Sequence, residues 1–281
     1  MNQGRIVIAG SNGQLGRALR ARWPGAAAVD VGELDIGDAA AVEAFAWSGV
    51  RVVINAAAYT NVDGAETPEG RAAAWRVNAG AVANLARVAI ARGMTLVHVG
   101  TDYVFDGSRA PYAEGAGLAP LGAYGASKAA GDVAAGFVPR HYLLRTSWVI
   151  GDGRNFVRTM LDLAGRGINP RVVSDQVGRP TFTAELARAI GHLLDTGGSY
   201  GTYHVSNGGP AVSWADFARE IYRQAGLATT VTDITTAEYQ AGAAGVAPRP
   251  RDSRFDLARI RSAGFEPRDW RQALAEYLAA R

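Results

Sequence analysis

The segment Tyr124-Gly-Ala-Ser-Lys128 holds the only lysine of the 281-residue chain; the other 28 of its 29 basic residues are arginine. Codon-usage bias accounts for arginine wherever either cation serves, so the surviving lysine marks a position where a guanidinium cannot replace an ammonium. Four residues along a helix make one turn, which places the Tyr124 phenol and the Lys128 ammonium on one face. A nearby cation favours the phenolate, so the tyrosine pKa is expected to fall and the phenol to exchange protons near neutrality. The ammonium can also donate to ribose hydroxyls. Taken alone, the pair also reads as an exposed helix pair. Thr101 follows the apolar run 96–99, and a hydroxyl at such a strand end can hydrogen-bond a carbonyl oxygen, although a turn role is open to it as well.

A second set of residues suits a phosphate-bearing ligand. Gly10-Ser-Asn-Gly13-Gln-Leu-Gly16 lies between a strand-like run and a helical one. Glycines there let the backbone turn tightly and approach a pyrophosphate seated on the helix N-terminus. Asp30 ends the next strand and is placed to bind both ribose hydroxyls of an adenosine, so a bound dinucleotide is expected. Asn55-Ala-Ala-Ala58 ends a third strand, where small side chains leave room for a flat ligand or permit tight packing.

These residues need a scaffold that brings strand ends together. Strands are expected at 5–9, 26–30, 52–55, 96–99 and 142–145. Helices are expected at 14–23, at 38–47 behind an acidic cap, and as one long stretch at 69–92. That order predicts an α/β, Rossmann-type doubly wound parallel sheet. Beyond residue 148 the strands shorten between Gly- and Pro-rich joints. Helices remain legible at 156–164, 184–194, 214–224 and 270–280, the third opened by a capping-box variant of Ser213 and Asp216. We therefore expect a dinucleotide-binding domain over 1–147, with some later segments returning to it, and a smaller, mainly substrate-binding domain over 148–281. The stretch 240–250 reads as a loop over a site.

Composition narrows the function. A net charge of +3 is too small to make nucleic acid or an anionic membrane the main partner, and with 48% hydrophobic residues the chain can bury a sizeable core. Cysteine is absent, which removes disulfides, thiolate catalysis and zinc–sulfur sites. His98, His141, His192 and His204 lack ligand spacing, so no metal is expected. No serine triad or paired-carboxylate pattern is visible. With no apolar run near membrane-spanning length and no leader-like start, a soluble cytoplasmic protein is expected.

Together with Val77-Asn78-Ala-Gly80, these motifs resemble the extended short-chain dehydrogenase/reductase superfamily. More narrowly, Gly100-Thr-Asp-Tyr-Val-Phe-Asp-Gly107, Arg145-Thr-Ser-Trp148-Val and Asp175-Gln-Val-Gly-Arg-Pro-Thr181 are similar to the dTDP-4-dehydrorhamnose reductase family, from Arg5 to the final helix. The resemblance implies reduction of dTDP-6-deoxy-L-lyxo-4-hexulose to dTDP-L-rhamnose with NADPH or NADH. It implies that Tyr124 protonates the C4 oxygen, Lys128 holds the nicotinamide ribose and Thr101 orients the keto oxygen. Asp102, Tyr103 and Trp148 would line the sugar site. Gly10, Gly13, Gln14 and Leu15 would meet the pyrophosphate, Asp30 the ribose, Asp35 and Ile36 the adenine, and Ala56, Ala57 and Ala58 the nicotinamide half.

Arg249, Arg251 and Arg254 cluster in one segment and suit a nucleotide-sugar diphosphate, or form a solvated basic loop; Arg179 is a further substrate-site candidate. Gly100 stands where many family members carry serine, a change that is tolerable if Thr101 keeps its hydroxyl. The stretch 196–201 lacks the carboxylates through which some relatives bridge dimers by a metal, so a monomer or weak homodimer without metal is expected. Asp30 would repel a 2′-phosphate and leans toward NADH, although many family members accept NADPH. Two other functions fit the same motifs: a ketoreductase for another dTDP-4-keto-deoxysugar, and a non-catalytic regulatory subunit of the same fold.

Overall fold

The computed structural model describes residues 3–241 and 245–280. The first half runs β1 (Ile6–Ala9), α1 (Gln14–Arg22), β2 (Ala27–Val29), α2 (Ala39–Ala44), β3 (Val52–Asn55), α3 (Pro68–Trp75), α4 (Ala81–Arg92), β4 (Thr95–Thr101), α5 (Ala123–Gly136) and β5 (His141–Thr146). The second runs β6 (Val149–Ile150), α6 (Phe156–Gly165), β7 (Arg171–Val173), β8 (Val177–Gly178), β9 (Thr181–Phe182), α7 (Thr183–Thr196), β10 (Gly201–His204), β11 (Val212–Ser213), α8 (Trp214–Gln224), β12 (Thr232–Ile234), α9 (Thr236–Ala241), α10 (Ala258–Ser262) and α11 (Trp270–Ala279). Six parallel strands form the main sheet in the order β10-β5-β4-β3-β1-β2. The doubly wound sheet is thus present, and β10 returns to it from the second half.

The central strands are buried on both faces, which is why β1 and β3 read as unbroken apolar runs. Alternation sends Ile6 and Ile8 into one layer with Leu19 of α1 and Ile190 of α7. Val7 and Ala9 enter the other with Val42 of α2 and Leu85 of α4. A third cluster unites Val157, Phe217, Ile221 and Trp270 in the second half, beside two-stranded pairs β6–β9, β7–β12 and β8–β11. The chain travels from β1 out to β2 and then back across to β3, so the crevice beyond the C-terminal ends of β1 and β3 is the switch point where such sheets bind ligands.

Two helix boundaries differ from expectation. The stretch 69–92 is not one α-helix, because Arg76–Gly80 forms a π-helical turn between α3 and α4. Periodicity cannot register it, since the chain stays helical and only the bonding step lengthens. The helix at 38–47 stops at Ala44, since Phe45 turns to extended backbone and the Trp47 indole donates to Val42 O at 2.7 Å. The acidic cap of that helix is present: Asp38 accepts from the backbone N–H groups of Ala40 and Ala41. Ser213 likewise accepts from Asp216 N at 3.0 Å. Of the stretch 240–250, residues 242–244 lie outside the described residues. Among the described residues, no helix is long and apolar enough to cross a membrane.

Candidate active site

Gly10 follows β1 with φ +76, and a Cβ there would lie 2.4 Å from Ala57 N, so only glycine permits the approach of these two strand ends. The N-cap of α1 is Gly13, which supplies no side-chain cap. The first N–H groups of α1 therefore remain free to meet an anion. Gln14 accepts from Gly151 N at 2.8 Å and donates to Arg154 O at 3.1 Å, tying the start of α1 to the second half of the chain. Asp30, just past β2, is held by Asn12 N and Val31 N, each at 2.9 Å. Asp35 pairs with Arg76, and Ile36 O accepts from Asn84 Nδ2 at 3.0 Å.

These groups line one cleft of about 950 Å³. Gly10, Gly13, Gln14, Leu15, Asp30, Asp35, Ile36 and Ala56–Ala58 border it, as do Thr101, Asp102, Tyr103, Tyr124, Lys128 and Trp148. An uncapped helix start, a fixed carboxylate and small strand-end residues suit a dinucleotide running along the switch point.

Beside the candidate catalytic pair, Thr101 is the last residue of β4 and donates to Asp102 Oδ1 at 3.1 Å. Tyr124 is the second residue of α5, with its ring edge-on to Tyr103 at 5.4 Å between centroids. Lys128, one turn later, is 2% exposed and donates to Val99 O at 2.6 Å. Burial pulls its ammonium from 10.5 down to about 8. The expectation for Tyr124 requires correction. Burial pushes the phenol well above its ordinary value, and a hydrogen bond with Thr101 only partly offsets this. Tyr124 is therefore a protonated phenol near neutrality. Spacing on a helix could not show that burial governs this phenol.

Burial also pushes the Asp102 carboxyl from 3.8 up to about 6, against hydrogen bonds with Ser253 and Thr101. Because the folded pKa is raised, folding favours the protonated acid, and stability falls as pH climbs through this interval. Asp102→Asn removes the penalty. It should raise unfolding free energy at pH 8 by at most about 3 kcal/mol, a gain that vanishes at pH values below both pKa values. Denaturant midpoints at acidic and alkaline pH check this; a loss of stability at pH 8 would contradict it.

Trp148 adopts φ +48, a costly conformation for a bulky residue. Its indole stacks on Trp214 with centroids 3.6 Å apart and planes 12° from parallel. Gly178 leaves room for it, since a Cβ there would come within 2.8 Å of the ring. Sequence reasoning missed Trp214. It also assigned no role to Asn78, which sits in the π-helical turn and joins Tyr59 to Ser127 of α5 through its amide. The π-turn gave no compositional signal.

None of the arginine candidates borders the cleft itself, although Arg249 reaches Tyr103, which does. Arg249 is clamped by Asp63 through bonds of 2.9 and 3.0 Å. Arg254 chelates Asp252, and Arg251 is exposed, contributing its carbonyl to Val177 N. Arg179 donates to Gly209 O and Phe255 O, each at 3.0 Å. Partners distant in sequence claim the Arg179 and Arg249 forks, which clustering alone could not reveal. The histidines bond elsewhere: His141 to Val138 O, His192 to Ala263 O, His204 to Tyr112 O, and His98 to Asn55. Among the described residues, no group of three or more His, Asp or Glu is arranged to hold a metal ion.

Comparison with known proteins places this cleft in context. Residues 4–281 match the RmlD substrate binding domain family. The chain is 40% identical to a dTDP-4-dehydrorhamnose reductase of Aggregatibacter actinomycetemcomitans, over 98% of each chain. It is 42% identical to a probable dTDP-4,6-dihydroxy-2-methyloxan-3-one 4-ketoreductase of Streptomyces antibioticus, over 97% of this chain and 94% of that one. A crystal structure of a Bacillus anthracis dTDP-4-dehydrorhamnose reductase in complex with NADP superimposes with a TM-score of 0.90 at 36% identity, covering 99% of both chains.

Proposed function

The chain belongs to the RmlD substrate binding domain family of NAD(P)H-dependent dTDP-4-keto-deoxysugar reductases, and from that premise we propose that it reduces the C4 ketone of dTDP-6-deoxy-L-lyxo-4-hexulose to dTDP-L-rhamnose. The observation that carries this reading is the convergence of Thr101, Tyr124 and Lys128 at one end of a cleft whose other end holds the free start of α1 and Asp30. The nicotinamide, when bound, supplies hydride to the carbonyl carbon. Tyr124 gives its phenolic proton to the C4 oxygen as charge develops there, which suits a phenol that burial keeps protonated. Thr101 orients that oxygen through its hydroxyl. Lys128 holds the nicotinamide ribose and stabilises the phenolate that Tyr124 leaves behind. Asp102, Tyr103 and Trp148 shape the sugar side. The Streptomyces antibioticus relative supports a second reading, a ketoreductase for a different dTDP-4-keto-deoxysugar.

Loss of reduced-nicotinamide absorbance on mixing the purified protein with the proposed sugar tests the assignment. Failure to oxidise either NADH or NADPH with any dTDP-4-keto-6-deoxy sugar overturns it.

NADH is the preferred coenzyme on this account. The Asp30 carboxylate, held by Asn12 N and Val31 N, is our candidate for the ribose contact, and Arg17 and Arg76, which also border the cleft, are paired with Asp152 and Asp35. Asp30→Asn removes the repulsion of a 2′-phosphate and should shift the NADPH-to-NADH ratio of kcat/KM upward by about tenfold, equivalent to about 1.4 kcal/mol. An unchanged ratio would place the discrimination elsewhere.

A further inference from the structure

Asp132 lies one helical turn beyond Lys128 on α5 and is 3% exposed. Its Oδ2 accepts a 2.8 Å bond from Arg145 Nε on β5. Its Oδ1 has no hydrogen-bond partner, and His98 Nε2 of β4 stands 3.9 Å away across the pair. Gly100 makes room for this carboxylate: a Cβ there would fall 2.9 Å from Asp132 Oδ1 and 3.0 Å from Arg145 Cγ.

The hydrogen-bond roles fix the charges. Asn55 Oδ1 accepts from Ala57 N at 3.1 Å, which leaves its amide nitrogen to donate to His98 Nδ1 at 3.2 Å. The His98 proton therefore sits on Nε2, toward Asp132, and burial followed by the Lys128 charge keeps the ring neutral. Arg145 pairs with this carboxylate, and the Lys128 ammonium, one helical turn away, lies within its field. Burial raises the Asp132 carboxyl, and Arg145 and Lys128 pull it back. Protonating it would leave two buried cations without a counter-charge, a costly arrangement.

We propose that Asp132 is a positioning residue, whose carboxylate, locked by Arg145 in the space that Gly100 leaves, keeps the buried Lys128 ammonium charged for its work with Tyr124. The consequence for turnover rests on the reductase reading above; the electrostatics do not. The charged or titratable groups that act on Lys128 are Asp132 on α5 and His98 on β4; Arg145 on β5 acts on Asp132, and Asp102 and Tyr103, in the turn after β4, act on Tyr124. Of these, Asp132 is the one that raises the lysine against burial.

The single lysine makes a direct test possible. Protein labelled with 13Cε-lysine gives one side-chain resonance, whose titration reports Lys128 alone. Its midpoint is expected near 8 in the unaltered chain. In Asp132→Asn it should fall by about one pH unit or more, and Asp132→Glu should restore most of it. Gly100→Ala, whose Cβ would crowd Asp132 Oδ1, should also lower the midpoint and serves if the Asn variant does not fold. An unchanged midpoint in Asp132→Asn, or in Gly100→Ala, overturns the proposal. The alkaline limb of kcat/KM should move with the resonance. If the unaltered protein turns over no sugar, the reductase reading fails, while the titration still decides the role of Asp132.

Discussion

Tyr124→Phe is expected to lower kcat for sugar reduction by about 10³-fold, within the range that a positioned general acid contributes. The substitution deletes one hydroxyl and leaves the ring, so its edge-on contact with Tyr103 survives. Coenzyme affinity should stay unchanged, because the start of α1 and Asp30 are untouched. Thr101 cannot take over the role, because an aliphatic hydroxyl is a far poorer acid than a phenol. Single-turnover rates with coenzyme titrations separate the two effects. A variant that keeps its rate would mean that another group donates the proton.

Lys128→Arg keeps the charge and should still lower kcat/KM by about 10²-fold, much as a misplaced reacting group does. The ammonium is 2% exposed and fits against Val99 O. A guanidinium is wider and brings five donors in a rigid fork, so some would be buried without acceptors. Each such donor costs stability, so the variant should also melt at lower temperature than the parent chain. Steady-state kinetics alongside thermal unfolding check both outcomes. Unchanged activity would mean that the lone lysine is an accident of codon usage.

The parts legible in the sequence were those governed by local rules. β1, β3 and β4 appear as apolar runs because a parallel sheet buries both faces, and the Gly10–Gly16 turn appears because its geometry demands glycine at Gly10. Asp30 and the Tyr124–Lys128 pair follow from fixed offsets to those elements. What was illegible depends on contacts across the chain. Arg249 looked free for a diphosphate until Asp63, far upstream, was found to hold it. Tyr124 looked acidified by Lys128 until its burial was known. Asp132 did carry a local signal, a carboxylate four residues after a lysine, but the spacing alone could not separate a buried counter-charge from a solvated helix pair. Trp148 was visible as a motif residue, whereas its strained backbone and its partner Trp214 required the fold.

The central claim is that this cleft directs hydride to C4 of the 4-keto sugar while Tyr124 protonates the oxygen. Proton NMR of the product formed from dTDP-6-deoxy-L-lyxo-4-hexulose and deuterated reduced coenzyme tests it most directly. The account predicts dTDP-L-rhamnose with deuterium at C4 and none at the other ring carbons. Formation of the opposite C4 epimer, or coenzyme oxidation without deuterium at C4, would contradict it.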